Sequence, residues 1–139
     1  MENYMKLEIP AKSVNEAFAR AAVAAFSVQL DLSVEELSDI KTAVSEAVTN
    51  SIVHGYANMK GKISLFCKVI EDTIEIVVED FGVGIEDIHI AMQPLYTSKA
   101  DGERSGMGFT VMQTFMDSVC VESVPNEGTK VTMTKRIGG

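Results

Sequence analysis

Leu37, Ile40, Val44, Ala47, Val48 and Ile52 recur at three- and four-residue spacing, and this stripe constrains the fold more than any other stretch. The spacing predicts a helix from near Val34 whose back lies in a core. Ser33-Val34-Glu35-Glu36 is a capping box that opens it, and Gly55 is a plausible stop. Glu46 and Asn50 are four residues apart, so they share the face opposite the stripe. A carboxamide oxygen can ligate a hard cation, and a carboxylate can take a proton from a hydroxyl or water. Polar pairs at this spacing are also common on solvated helix faces, so the pair alone leaves both readings open.

The remainder of the chain predicts an α/β arrangement. Met5, Leu7 and Ile9 alternate with Lys6 and Glu8 as a short strand ended by Pro10. A second capping box, Ser13-Val14-Asn15-Glu16, predicts a helix from Val14 to about Gln29, with Phe18, Ala21, Ala22, Ala25 and Phe26 on its packed side. Arg20 points away from that side, either as a solubilising charge or as a docking contact for an acidic partner. Ile63, Leu65, Cys67 and Val69, then Ile74, Ile76 and Val78, alternate with polar neighbours across a turn at Glu71-Asp72, which predicts a hairpin with one buried face. Ser118 to Val124 and Thr129 to Arg136 predict two more strands, with Val131 and Met133 facing the core.

Three glycine-bearing stretches punctuate this pattern. Asp80-Phe81-Gly82-Val83-Gly84 follows a strand, where glycines allow a sharp bend and close approach of a ligand, and where Asp80 could accept from an amino group. An ordinary Asx turn fits the same residues. A short helix over Ile85 to Met92 precedes an aperiodic polar stretch from Gln93 to Ser105, long enough to serve as a lid. Gly106-Met107-Gly108 opens a helix carrying Phe109, Met112, Phe115 and Met116, and its N–H groups suit a phosphate. Thr129 follows Gly128 at a strand start, so its hydroxyl could face the same cavity or simply serve as a strand former.

Composition narrows the class of function. With 139 residues and 46% apolar content, residues 1–139 form one globular domain able to bury a core. No stretch of eighteen apolar residues and no signal-peptide pattern occurs, so a cytoplasmic location is expected. Cys67 and Cys120 lie in strand-like stretches and are expected to be buried, reduced thiols. The net charge of −8 argues against direct contact with nucleic acid or an anionic membrane.

In order, the chain carries Glu-x-x-x-Asn on a helix, Asp-x-Gly-x-Gly after a strand, a polar lid, Gly-x-Gly at a helix start and Gly-Thr before a strand. This order resembles the Bergerat ATP-binding fold shared by histidine-kinase ATPase domains and type II topoisomerases. Glu46-Ala-Val-Thr-Asn50 with His54-Gly55-Tyr56, Pro94-Leu-Tyr-Thr-Ser-Lys99 and Glu103-Arg-Ser-Gly-Met-Gly-Phe109 are similar to the anti-sigma serine kinases in particular.

The resemblance implies a two-layer α/β sandwich, a mixed and mainly antiparallel sheet with helices on one face. It implies ATP or ADP bound with Mg²⁺ held at Asn50, the adenine amino group at Asp80, and close approach at Gly82 and Gly84, with Thr129 assisting. Thr97, Ser105, Gly106, Met107, Gly108 and Phe109 would surround the phosphates, with Lys99 and Arg104 offsetting charge on the γ-phosphate. Glu46 would be the general base towards a serine hydroxyl. The second glycine motif, Gly106-Met-Gly108-Phe109, is shorter than the family's GxGxG, which separates this chain from many members beyond Gly108.

The implied partners are a sporulation sigma factor held inactive and an anti-anti-sigma protein phosphorylated on serine, with the chain acting as a homodimer. Arg20 is the candidate partner contact. Three other functions fit parts of the pattern: an anti-sigma kinase for a general stress sigma factor, the catalytic half of a histidine kinase, and a nucleotide-gated binding module without transfer. The chain has only His54 and His89 and no spare helical pair to carry a phosphoacceptor, which disfavours the histidine kinase.

Overall fold

The computed structural model describes residues 2–57, 59–85 and 107–138. In chain order these form β1 (Glu2–Pro10), α1 (Val14–Ser27), α2 (Val34–Asn50), a π-helical turn (Ser51–Gly55), β2 (Lys62–Ile70), β3 (Thr73–Asp80), α3 (Met107–Phe115), β4 (Ser118–Val124) and β5 (Gly128–Arg136). The strands make one sheet in the order β1-β2-β3-β5-β4. Every pairing in it is antiparallel, so no mixed sheet forms among the described residues.

Strand alternation decides which face of the sheet is covered. Ile63, Leu65, Cys67 and Val69 of β2, Ile74, Ile76 and Val78 of β3, and Val131 and Met133 of β5 are buried. They meet Ile40, Val44, Ala47 and Val48 of α2, Val23 of α1, and Phe109, Met112 and Met116 at the end of the chain's helical layer, in one core. Burying a side chain such as Ile40, Val44 or Val48 contributes about 1.5–3 kcal/mol each, so the stripe on α2 holds the two layers together. Helix α2 lies between α1 and α3 and packs against both.

The capping box at Ser33 forms as expected: its hydroxyl accepts from the Glu36 N–H at 3.0 Å, and Glu36 accepts from the Ser33 N–H at 2.9 Å. The one expected at Ser13 does not. Ser13 is itself helical, with φ −55° and ψ −35°, and its hydroxyl caps nothing. A tight turn after Pro10 places it there, and Asn15 donates to the Pro10 carbonyl at 2.9 Å instead.

Helix α1 also ends at Ser27 and turns a different side inward. Ala19, Val23 and Ser27 are buried, whereas Phe18, Ala21 and Ala25, expected to pack, are exposed; Ala22 and Phe26 are half-buried. Cys67 is buried, and burial pushes its thiol up to about 12. Cys120, expected to be buried as well, is exposed on the open face of β4. Among the described residues, no helix is long and apolar enough to cross a membrane.

Candidate functional site

The expected helix from Val34 to Gly55 is one continuous rod, but its last five residues are π-helical. The Tyr56 N–H donates to the Ser51 carbonyl five residues back, at 3.0 Å. A π turn is wider than an α turn and is frequent at functional sites. Here it begins directly after Asn50, and it brings Ser51, Gly55 and Tyr56 against the end of β3.

Asp80 is the buried charge at that strand end, 3% exposed. Burial pushes its carboxyl above the ordinary range. The Gly82 N–H, the Ser51 hydroxyl and the Thr129 N–H oppose that shift by hydrogen-bonding the charged form. The Gly82 bond measures 3.1 Å. Directly across the β3–β5 ladder stands Thr129, buried on the same inner face. Asp80 and Thr129, widely separated in sequence, are therefore neighbours.

After Asp80, positions 82 and 84 have no room for side chains. A Cβ on Gly82 would lie 1.9 Å from the Gly55 carbonyl oxygen, which itself accepts from the Val83 N–H at 2.8 Å. Gly84 has φ +75°, a conformation that side-chain-bearing residues rarely adopt, and a Cβ there would fall 2.3 Å from the Val124 carbonyl oxygen. The phenol of Tyr56 clamps the same loop. It accepts from the Phe81 N–H at 2.7 Å and donates to the Lys62 carbonyl at 2.5 Å.

Glu46 and Asn50 lie one turn apart on α2, and both are half-buried. Their face looks towards the start of α3: a Cβ on Gly108 would lie 2.8 Å from Asn50 Nδ2 and 3.0 Å from its Oδ1. The first turn of α3 is thus laid against the Asn50 carboxamide, and Phe109 is buried behind it. Asn50 supplies one hard oxygen. That fits an ion such as Mg²⁺, which takes one or two protein oxygens and completes its shell with phosphate and water.

Gly108 thus meets Asn50 at the end of α2, and Asp80 and Gly82 meet the π turn that continues it, with Thr129 beside Asp80, Gly84 two residues after Gly82 and Glu46 one turn before Asn50. Arg20 is not among them. It lies on α1, 3.7 Å from Glu16, with its side chain 40% exposed. Thr97, Lys99, Arg104, Ser105 and Gly106 lie outside the described residues, as do the Met107 side chain, the expected lid and all but Ile85 of the helix expected at Ile85 to Met92.

Ser51, Ser123 and the role of Tyr56 were not expected from the sequence. Ser51 carried a signal, as a serine within the apolar continuation of the α2 stripe. Ser123 sits in register with Thr129, which only the strand pairing reveals.

Residues 9–135 match the family described as the histidine kinase-like ATPase domain. The anti-sigma F factor of Clostridium novyi is 58% identical over 97% of this chain and 95% of its own length. That of Clostridium perfringens strain SM101 is 58% identical over 99% of each chain. Among solved structures, the nucleotide-free catalytic domain of the histidine kinase ThkA superposes with a TM-score of 0.60. It covers 97% of this chain at 13% identity, a likeness of fold. The chain belongs to the histidine kinase-like ATPase family and, within it, to the family of the anti-sigma F factors.

Proposed function

We propose that this chain is an anti-sigma factor and an ATP-dependent serine kinase. It holds a sporulation sigma factor inactive and phosphorylates the anti-anti-sigma protein that opposes it. The observation that carries the reading is the convergence at one end of α2. A buried carboxylate, Asp80, is held beside Thr129, and Asn50 lies under the glycine opening α3. Near-full-length similarity to anti-sigma F factors supports the choice of partner.

In this reading Asp80 accepts from the amino group of adenine, Gly82 and Gly84 give the base room, and Thr129 completes the base end. Asn50 holds Mg²⁺, whose charge offsets that of the phosphates. Gly106, Met107, Gly108 and Phe109 direct backbone N–H groups and the positive end of α3 at the phosphate chain, with Thr97 and Ser105 beside them. Lys99 and Arg104 neutralise charge developing on the transferred phosphoryl group. Glu46 takes the proton of the incoming serine hydroxyl as its oxygen bonds to phosphorus and ADP departs. The chain works in the cytoplasm as one domain, residues 1–139, and as a homodimer. Arg20, on a helix that also exposes Val14 and Phe18, contacts a protein partner.

The test is incubation with labelled ATP, Mg²⁺ and a candidate anti-anti-sigma protein, followed by phosphoamino-acid analysis. Phosphoserine on the partner, absent with Glu46→Ala, supports the kinase. Nucleotide bound without transfer to any such partner would leave a nucleotide-gated binding module in its place.

A further inference from the structure

We propose that Ser123 is a positioning residue that makes the purine site selective for an amino-bearing base, by committing the hydroxyl proton of Thr129. The proposal rests on the nucleotide-binding reading above and goes beyond it to a residue outside the family's motifs.

Ser123 stands on β4 directly across from Thr129, which stands across from Asp80 on β3. The three form a polar row on the covered side of the sheet, at its end. Among the described residues the Ser123 oxygen has three neighbours: the Ile85 N–H at 2.7 Å, the Gly128 carbonyl at 2.9 Å and the Thr129 hydroxyl at 2.8 Å. A serine hydroxyl offers one proton and two lone pairs. A carbonyl oxygen can only accept, and an amide N–H can only donate. All three contacts are made together in one proton arrangement only. Ser123 donates to Gly128, and Thr129 donates to Ser123.

The Thr129 proton is therefore turned away from Asp80, and its hydroxyl offers only lone pairs on that side. Asp80, when ionised, also only accepts. The base end of the site thus presents acceptors to its ligand. An amino group on the purine satisfies them, whereas an oxo group at the same position meets lone pairs with lone pairs. A site built this way rejects the wrong group through unpaired polar atoms rather than through size.

Removing the Ser123 hydroxyl frees the Thr129 proton to rotate into the site and donate to an oxo group. The experiment is calorimetric titration of ATP and of inosine triphosphate, which carries oxo in place of amino, with Mg²⁺ present. Wild type, Ser123→Ala, Ser123→Thr and the double variant Ser123→Ala/Thr129→Val are compared. The ATP-to-ITP affinity ratio is expected to fall about fivefold or more in Ser123→Ala, the scale of one hydrogen bond. It should be retained in Ser123→Thr and regained in the double variant, which has no threonine proton to release.

A merely structural role for Ser123 would lower both affinities together and leave the ratio unchanged. That outcome, or a double variant as relaxed as Ser123→Ala, overturns the proposal. Should Ser123→Ala fail to fold, Ser123→Cys makes the same comparison, because a thiol holds the Thr129 proton only weakly. Wild-type protein that binds no ATP overturns the nucleotide reading, and this proposal with it. ATP binding that depends on Asp80 but a ratio insensitive to Ser123 overturns this proposal alone.

Discussion

Replacing Tyr56 by phenylalanine removes one oxygen and leaves the ring. That ring lies flat because position 61 is glycine; a Cβ there would fall 2.4 Å from Tyr56 Cε1. Among the described residues the oxygen carries two bonds, from the Phe81 N–H and to the Lys62 carbonyl, so it joins the end of the π turn to both β2 and the loop after Asp80. Each bond contributes about 0.5–1.5 kcal/mol net. Tyr56 is half-buried, so water can reach the orphaned groups in part, and the loss should total about 1–2 kcal/mol. For 139 residues at about 2.1 cal/mol/K each, the unfolding entropy is about 0.3 kcal/mol/K, which converts that loss to a fall of about 3–7 °C in Tm. Losing the anchor at Phe81 should also weaken ATP binding by about fivefold, the equivalent of about 1 kcal/mol. Differential scanning calorimetry and ATP titration measure the two effects. A Tm within about 1 °C of wild type together with full ATP affinity would refute the claim that this phenol holds the loop.

Gly82→Ala forces a methyl to within 1.9 Å of the Gly55 carbonyl oxygen, where backbone on both sides must move. We expect a loss of about 1–3 kcal/mol in denaturant unfolding, with ATP affinity down at least about tenfold by equilibrium dialysis. The raised Asp80 carboxyl gives two pH dependences of opposite sense. Its folded value lies above its unfolded one, so its contribution to stability is full below the unfolded value and is lost as pH rises through the folded one. ATP affinity needs the ionised form, so it should fall as pH drops through the raised value. Parallel thermal unfolding and binding between pH 4 and 7.5 should show both trends in wild type and neither contribution in Asp80→Asn.

The central helix, the hairpin and the last two strands were legible because their apolar periods, near 3.6 and 2, agree with their caps and turns. Helix α1 was not, because alanine and phenylalanine lie on several of its sides. The side carrying Phe18, Ala21 and Ala25 looked as apolar as the buried side carrying Ala19 and Val23. Choosing between them takes the position of α2, which no local pattern contains. The π turn escaped notice because five residues are too few to separate its period from that of an α-helix. The Ser13 capping box failed for a backbone reason: a helical Ser13 cannot hold its hydroxyl over the third amide of the helix. In the candidate site, Asp80, Asn50 and the glycines stood out through the order of their motifs along the chain, whereas the spacing of each alone fits an Asx turn or a solvated helix face as well. Ser51 and Ser123 act through neighbours brought in by the π turn and by strand register; Ser51 shows locally only as a serine in an apolar stretch, and Ser123 has no local signature.

The central claim is that one end of α2 divides into a base-recognition part around Asp80 and a transfer part around Glu46. Calorimetric titration of Mg·ATP into wild type, Asp80→Ala and Glu46→Ala tests it most directly. The account predicts that Glu46→Ala binds with wild-type affinity, while Asp80→Ala loses at least about tenfold. Equal losses in the two variants, or full affinity in Asp80→Ala, would contradict it.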